Sequence, residues 1–211
     1  MSGIIAQNTL DNSGLIKSPA GGGAWNFIKK LTASSSSDLS FVDGASDVVL
    51  DSTYKEYLFT FNNMHFETDS TDFFFNFSID GGTNYNVTKT SSMIRTYHGE
   101  DGASAASVYY SGGDVDTNDL AQSTAFQVIS GSLASNSDDS TCAKLQIFNP
   151  SSTVFAKHYL LDTNMSHVTP RSIRFIIAGY ANTTSAINAI QFKPLSDAID
   201  SGDICLYGLT T

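Results

Sequence analysis

The chain is short of the residues that build helices, bind phosphate or close disulfides. Of its twenty-one acidic residues only Glu56, Glu67 and Glu100 are Glu, and the other eighteen are Asp. Glu favours helix interiors and Asp favours turns and caps, so the imbalance points to strands and loops. Lys and Arg number eleven, are scattered, and leave a net charge of −10. Phosphate recognition needs clustered cations, which argues against nucleic acid as the main partner. The two cysteines, Cys142 and Cys205, have no metal-binding spacing. They read as buried thiols, with a disulfide open only if their strands are neighbours. No apolar run approaches the ~18 residues of a membrane span, so no insertion is expected. The start, MSGIIAQNTLDNSG, lacks a basic segment followed by an apolar run, so no signal peptide is read there. Synthesis and folding in a cytoplasm are expected.

What is present is a core. Hydrophobic residues make up 41% of the 211, enough to pack one sizeable domain. Charged residues are only 15%, so Ser, Thr and Asn must supply the polar surface. Residues 1–24 stand apart, with short apolar patches (IIAQN, GLIK) before the flexible joint Pro19-Ala20-Gly21-Gly22-Gly23. This segment reads as a docking arm in which Ile4, Ile5, Leu15 and Ile16 supply apolar contacts and Gln7 and Asn8 polar ones. Residues 25–211 read as the β domain.

From Trp25 onward the hydrophobic period is two almost everywhere. Tyr57, Phe59 and Phe61 share a face. In TDFFFNFSID (71–80), Phe73, Phe75, Phe77 and Ile79 share one face and Phe74, Asn76, Ser78 and Asp80 the other. The first face is expected in the core and the second outside, with Phe74 left for a neighbouring subunit or covering loop. Asp80-Gly81-Gly82-Thr83 reads as a hairpin turn with a return strand from Tyr85. Residues 194–201 read as one helical turn. About ten strands punctuated by turns predict an all-β fold, a two-sheet antiparallel sandwich of jelly-roll type.

Chemistry-bearing patterns are sparse. Asp114, Asp116 and Asn118 resemble the opening of a calcium loop, but Asp119 stands where Gly is needed and Ala125 where a bidentate Glu is needed. An exposed acidic loop is the reading, and no metal or cofactor is expected. His98 and His158 lie at strand ends that have room to meet in space. No Gly-x-Ser-x-Gly elbow or phosphate loop occurs, so no enzyme is expected. Trp25, Tyr85, Tyr109 and Tyr110 lie near strand ends or on mixed faces. With Phe74 they read first as subunit-interface contacts, and second as glycan contacts.

Several stretches, in order along the chain, resemble virion proteins of marine tailed bacteriophages. They are MSGIIAQN (1–8) with GLIK (14–17), AWNFI (24–28), DSTY (51–54) with EYLF (56–59), DGGTNYN (80–86), FNPSST (148–153), AGYANTT (178–184), and IDSGDI (199–204) with LYG (206–208). The resemblance implies a non-enzymatic structural role in the virion. It is compatible with a tail-fibre or baseplate module contacting the host surface, slightly favoured, and with a capsid decoration or head-fibre protein. Other virion proteins would be partners, and fibre-type jelly rolls imply a homotrimer. From the residues alone, a carbohydrate-binding module is the rival class.

Overall fold

The two-residue period of side chains along a strand sets the elements. The structure, a computed structural model, describes residues 24–102, 107–110 and 119–210. Among these no helix forms, and twelve strands follow one another. They are β1 (Trp25–Thr32), β2 (Leu39–Val42), β3 (Glu56–Phe66), β4 (Thr71–Ser78), β5 (Lys89–Gly99) and β6 (Ser107–Tyr110), then β7 (Gln127–Leu133), β8 (Thr141–Phe148), β9 (Lys157–His167), β10 (Arg171–Ala181), β11 (Ala189–Pro194) and β12 (Ile199–Leu209). All pairings are antiparallel, and they link the strands into one hydrogen-bonded sheet.

β9 is the branch point. It pairs with β8 and β10 along most of its length, but meets β7 only at Leu133–His167. One limb of the sheet runs β1-β12-β3-β8-β9-β10-β5-β6, and the other β7-β4-β11-β2. The core shows how the limbs face each other. Phe192 on β11 sets its ring 5.4 Å from Phe59 and 5.0 Å from Phe61, both on β3. Phe75 on β4 lies 5.4 Å from Tyr159 on β9. Strands far apart along the sheet therefore enclose one apolar core, and most ring pairs meet edge-on, as their quadrupoles favour.

The FFFNF stretch is at the centre of that core, with Phe73, Phe75 and Phe77 all fully buried. Each buried ring contributes roughly 1.5–3 kcal/mol. Three expectations for the stretch need correction. Ile79 is exposed rather than buried, because β4 ends at Ser78 and the chain leaves the sheet. Asn76 and Ser78 are buried rather than solvated, because this face of β4 is covered as well. The turn at Gly81 and Gly82 has the positive φ that glycine permits (69° and 82°), but it does not close a hairpin. β4 pairs with β7 and β11, Tyr85 lies in an irregular stretch, and the next strand begins at Lys89. The helical turn at 194–201 is also absent, for Ile199 already pairs with Phe66 in β12. Gly208 lies flat under the Tyr54 ring, where any Cβ would overlap it.

Candidate assembly face

The inward side chains of β3, β8, β9 and β10 fill the core, so their alternate residues must face out. On most soluble sheets such positions are polar. Here many are not. Register aligns Phe27, Tyr207, Leu58, Gln146, Leu160 and Ala178 in one row across β1, β12, β3, β8, β9 and β10. Five inter-strand steps make that row about 24 Å long. A neighbouring row places Ile176 beside Ile94 on β5. Phe27 is 59% exposed, Leu160 50%, Ile94 43%, and Trp25 and Ile176 39%. Phe27 packs edge-on against Tyr207 at 5.7 Å, which holds the exposed ring in place.

Three adjoining hollows of about 340, 420 and 580 Å³ texture this face. The middle one is floored by Leu58, Leu160 and Ile176 and walled by Trp25. The charges seated within the face cancel. Lys30, Lys144 and Arg174 stand against Glu56, Asp162 and Asp203. Arg174 donates from Nε and Nη2 to both Asp162 oxygens (2.8 and 2.7 Å), which holds that carboxyl below its usual range. Asp203 is held low first by the Thr32 hydroxyl and also by Lys30, whose Nζ lies 3.2 Å away. Gln146 Nε2 donates to Glu56 Oε2 at 2.6 Å. A chain carrying −10 thus presents one face on which exposed apolar side chains lie among charges that cancel locally.

Compared with protein-family models, curated proteins and solved structures, the chain matches none.

The structure distributes the expected site residues unevenly. Trp25 belongs to the face. Phe74 is half-buried and packs against the core cluster, opposite Val128 and Lys193. Tyr85 is half-buried with its hydroxyl end over Gly82. Tyr109 and Tyr110 lie on β6, paired with Arg95 and Ile94. The arm residues Ile4, Ile5, Gln7, Asn8, Leu15 and Ile16 lie outside the described residues, as do Asp114, Asp116 and Asn118. Cys205 is buried and Cys142 exposed, and both are free thiols. β3 runs between their strands, and two inter-strand steps of about 4.8 Å exceed disulfide reach. His98 pairs with Ser172 and His158 with Tyr180, at opposite ends of β10, so the two do not meet. Among the described residues no group of three or more His, Cys, Asp or Glu is placed to hold a metal ion.

Sequence reasoning missed two buried cations. Lys89 and Lys157 are both fully buried, and both sit opposite Ala181, one on each side of β10. Lys157 Nζ donates to the Thr183 carbonyl at 3.0 Å. Lys89 Nζ donates to the Val87 carbonyl at 2.8 Å and to Oδ1 of the fully buried Asn76. No carboxylate is among these partners, and burial pushes the Lys89 ammonium down to about 7. The alternation of β9 offers one clue in hindsight: Lys157 has the same parity as the core residues Tyr159 and Leu161.

Proposed function

We propose that this protein is a non-enzymatic structural subunit of a tailed-bacteriophage virion, built to associate with copies of itself through the outer face of β1, β12, β3, β8, β9 and β10. The observation that carries this reading is the charge-balanced face with its exposed Trp25, Phe27, Ile94, Leu160 and Ile176. Soluble monomers rarely leave a broad contiguous apolar surface unpartnered. Two copies of a chain at −10 repel wherever unbalanced acidic surface meets, and least where charges already cancel. The face therefore suits a second copy better than it suits a charged partner. Three copies around an axis, each burying this face, make the trimer that the resemblance to marine-phage virion proteins implies. Limbs meeting across one core agree with a jelly-roll sandwich as the finer description of the fold. Residues 1–24 are the segment by which the subunit docks on the particle, at the tail in preference to the head.

The test is location and stoichiometry. Electron microscopy of purified particles labelled for this protein should find it on the virion in multiples of three. Absence from purified virions overturns the reading. Label on the capsid lattice moves the protein to a decoration role. Deleting residues 2–20 should abolish incorporation into the particle while leaving the β domain folded.

A further inference from the structure

We propose that Lys89 and Asn76 condense, in the folded chain, into an intramolecular isopeptide bond that ties the end of β4 to the start of β5. The proposal stands apart from the assembly role and rests on the geometry of the interior.

Both side chains are fully buried and in contact, the Lys89 amine against Oδ1 of Asn76. The Asn76 amide is fixed on every side. Its Nδ2 donates to the carbonyls of Tyr85 (2.8 Å) and Thr124 (2.9 Å), and its Oδ1 accepts the Phe77 amide N–H (2.8 Å). Asn76 and Lys89 are each fully buried, so water is excluded from the pair. Three requirements of amide exchange are met there. The nucleophile and the carbonyl are held together before reaction, which supplies much of the entropic part of the barrier. Burial without a counter-charge keeps a large share of the amine neutral near pH 7, as a nucleophilic lysine needs. The Phe77 N–H stands where the carbonyl oxygen becomes an oxyanion.

The step balances without an oxidant. The Nζ lone pair attacks Cγ of Asn76, and the carbonyl π electrons move to Oδ1. The intermediate collapses as the Cγ–Nδ2 bond breaks. Nδ2 leaves as ammonia, carrying a proton given up by Nζ, and a secondary amide remains. The polarising donor is a backbone amide rather than a carboxylic acid, so the reaction is slow and accumulates after folding. Lys157 is the internal control. Its side chain is also buried, but its amine meets the Thr183 carbonyl, a backbone amide whose attack would cut the chain rather than release ammonia.

The experiment is intact-mass spectrometry of the full chain, sampled over days after purification at pH 7 and pH 9. The expected result is a progressive loss of one ammonia per chain, faster at pH 9. Trypsin should then fail to cut after Lys89, and chymotryptic pieces on either side of Tyr85 should remain joined through Asn76 and Lys89. Lys157→Met should still lose ammonia, whereas Lys89→Met and Asn76→Ala should not. A mass that stays at the sequence value overturns the proposal. So does ammonia loss that persists in Lys89→Met, which marks succinimide formation at Asn76. The wild-type measurement decides even if a variant fails to fold.

Discussion

Replacing Leu160 and Ile176 together by Arg tests the assembly face most directly. Both project from the face, Leu160 50% and Ile176 39% exposed, so the isolated subunit loses little by the change. Surface substitutions away from special features stay within about 0.5 kcal/mol. Association is another matter. Fully burying such a side chain is worth roughly 1.5–3 kcal/mol, so the portion still exposed in one subunit corresponds to about 1 kcal/mol each. Losing about 2 kcal/mol per contact weakens association roughly 30-fold. Two guanidiniums with no partner across the contact add a desolvation cost, raising the effect to at least about 100-fold. Sedimentation velocity over a concentration series reads this, with urea unfolding to confirm that the fold is intact. Arg at Val154 and Phe155 is the control. These residues are 66% and 69% exposed, but they sit in the β8–β9 connection, off the face. That variant should associate like the parent. If the Leu160/Ile176 variant assembles normally, or if both variants fail equally, the face is not the contact.

Three further predictions concern the fold. Phe192→Ala should cost about 4 kcal/mol in urea unfolding, because the ring touches Phe41, Phe59, Phe61 and Phe73 at once; a cost below about 2 kcal/mol would mean that the core is not built around it. Thr163→Val should be neutral or stabilising by about 1 kcal/mol, since the buried Thr163 hydroxyl has no hydrogen-bond partner; clear destabilisation would reveal one. Burial holds the phenols of Tyr57 and Tyr159 protonated well above the usual tyrosine range, and each donates a hydrogen bond, to the Asp51 carbonyl (2.9 Å) and to Gln127 Oε1 (3.1 Å). Unfolded tyrosines release their protons near pH 10, so this contribution is complete below about pH 10 and is lost progressively above it. Stability measured from pH 9 to 11.5 should show that fall, and a flat profile would contradict the burial of both hydroxyls.

The strands were legible because alternation is a local property. β1 begins at Trp25, where the period of two begins, and the alternating Phe73, Phe75 and Phe77 of β4 are all buried. What alternation cannot give is which strands become neighbours. The expected hairpin after Asp80 failed for that reason. Gly81 and Gly82 do turn the chain, but β4 takes its partners from β7 and β11, and β5 from β6 and β10. The same limit hid the interior of Asn76. On a strand covered on one side it would be solvated; covered on both, it must find partners, and it finds Tyr85, Thr124, Phe77 and Lys89.

The assembly face was hidden by a related ambiguity. In RSIRFIIAGYA, the inward residues Ile173, Phe175 and Ile177 and the outward Ile176 and Ala178 are all apolar, so the β10 sequence reads as a strand buried on both sides. In the single chain only one side is covered. β9 repeats the pattern, with Tyr159 and Leu161 inside and Leu160 outside, and β3 with Phe59 inside and Leu58 at the outer face. When three strands of one limb carry apolar residues on both sides and the fold covers only one, the composition is suited to a second covering layer that the subunit itself lacks. The balanced charges at Lys30, Lys144, Arg174, Glu56, Asp162 and Asp203 make another copy of the chain the layer least opposed by its net charge.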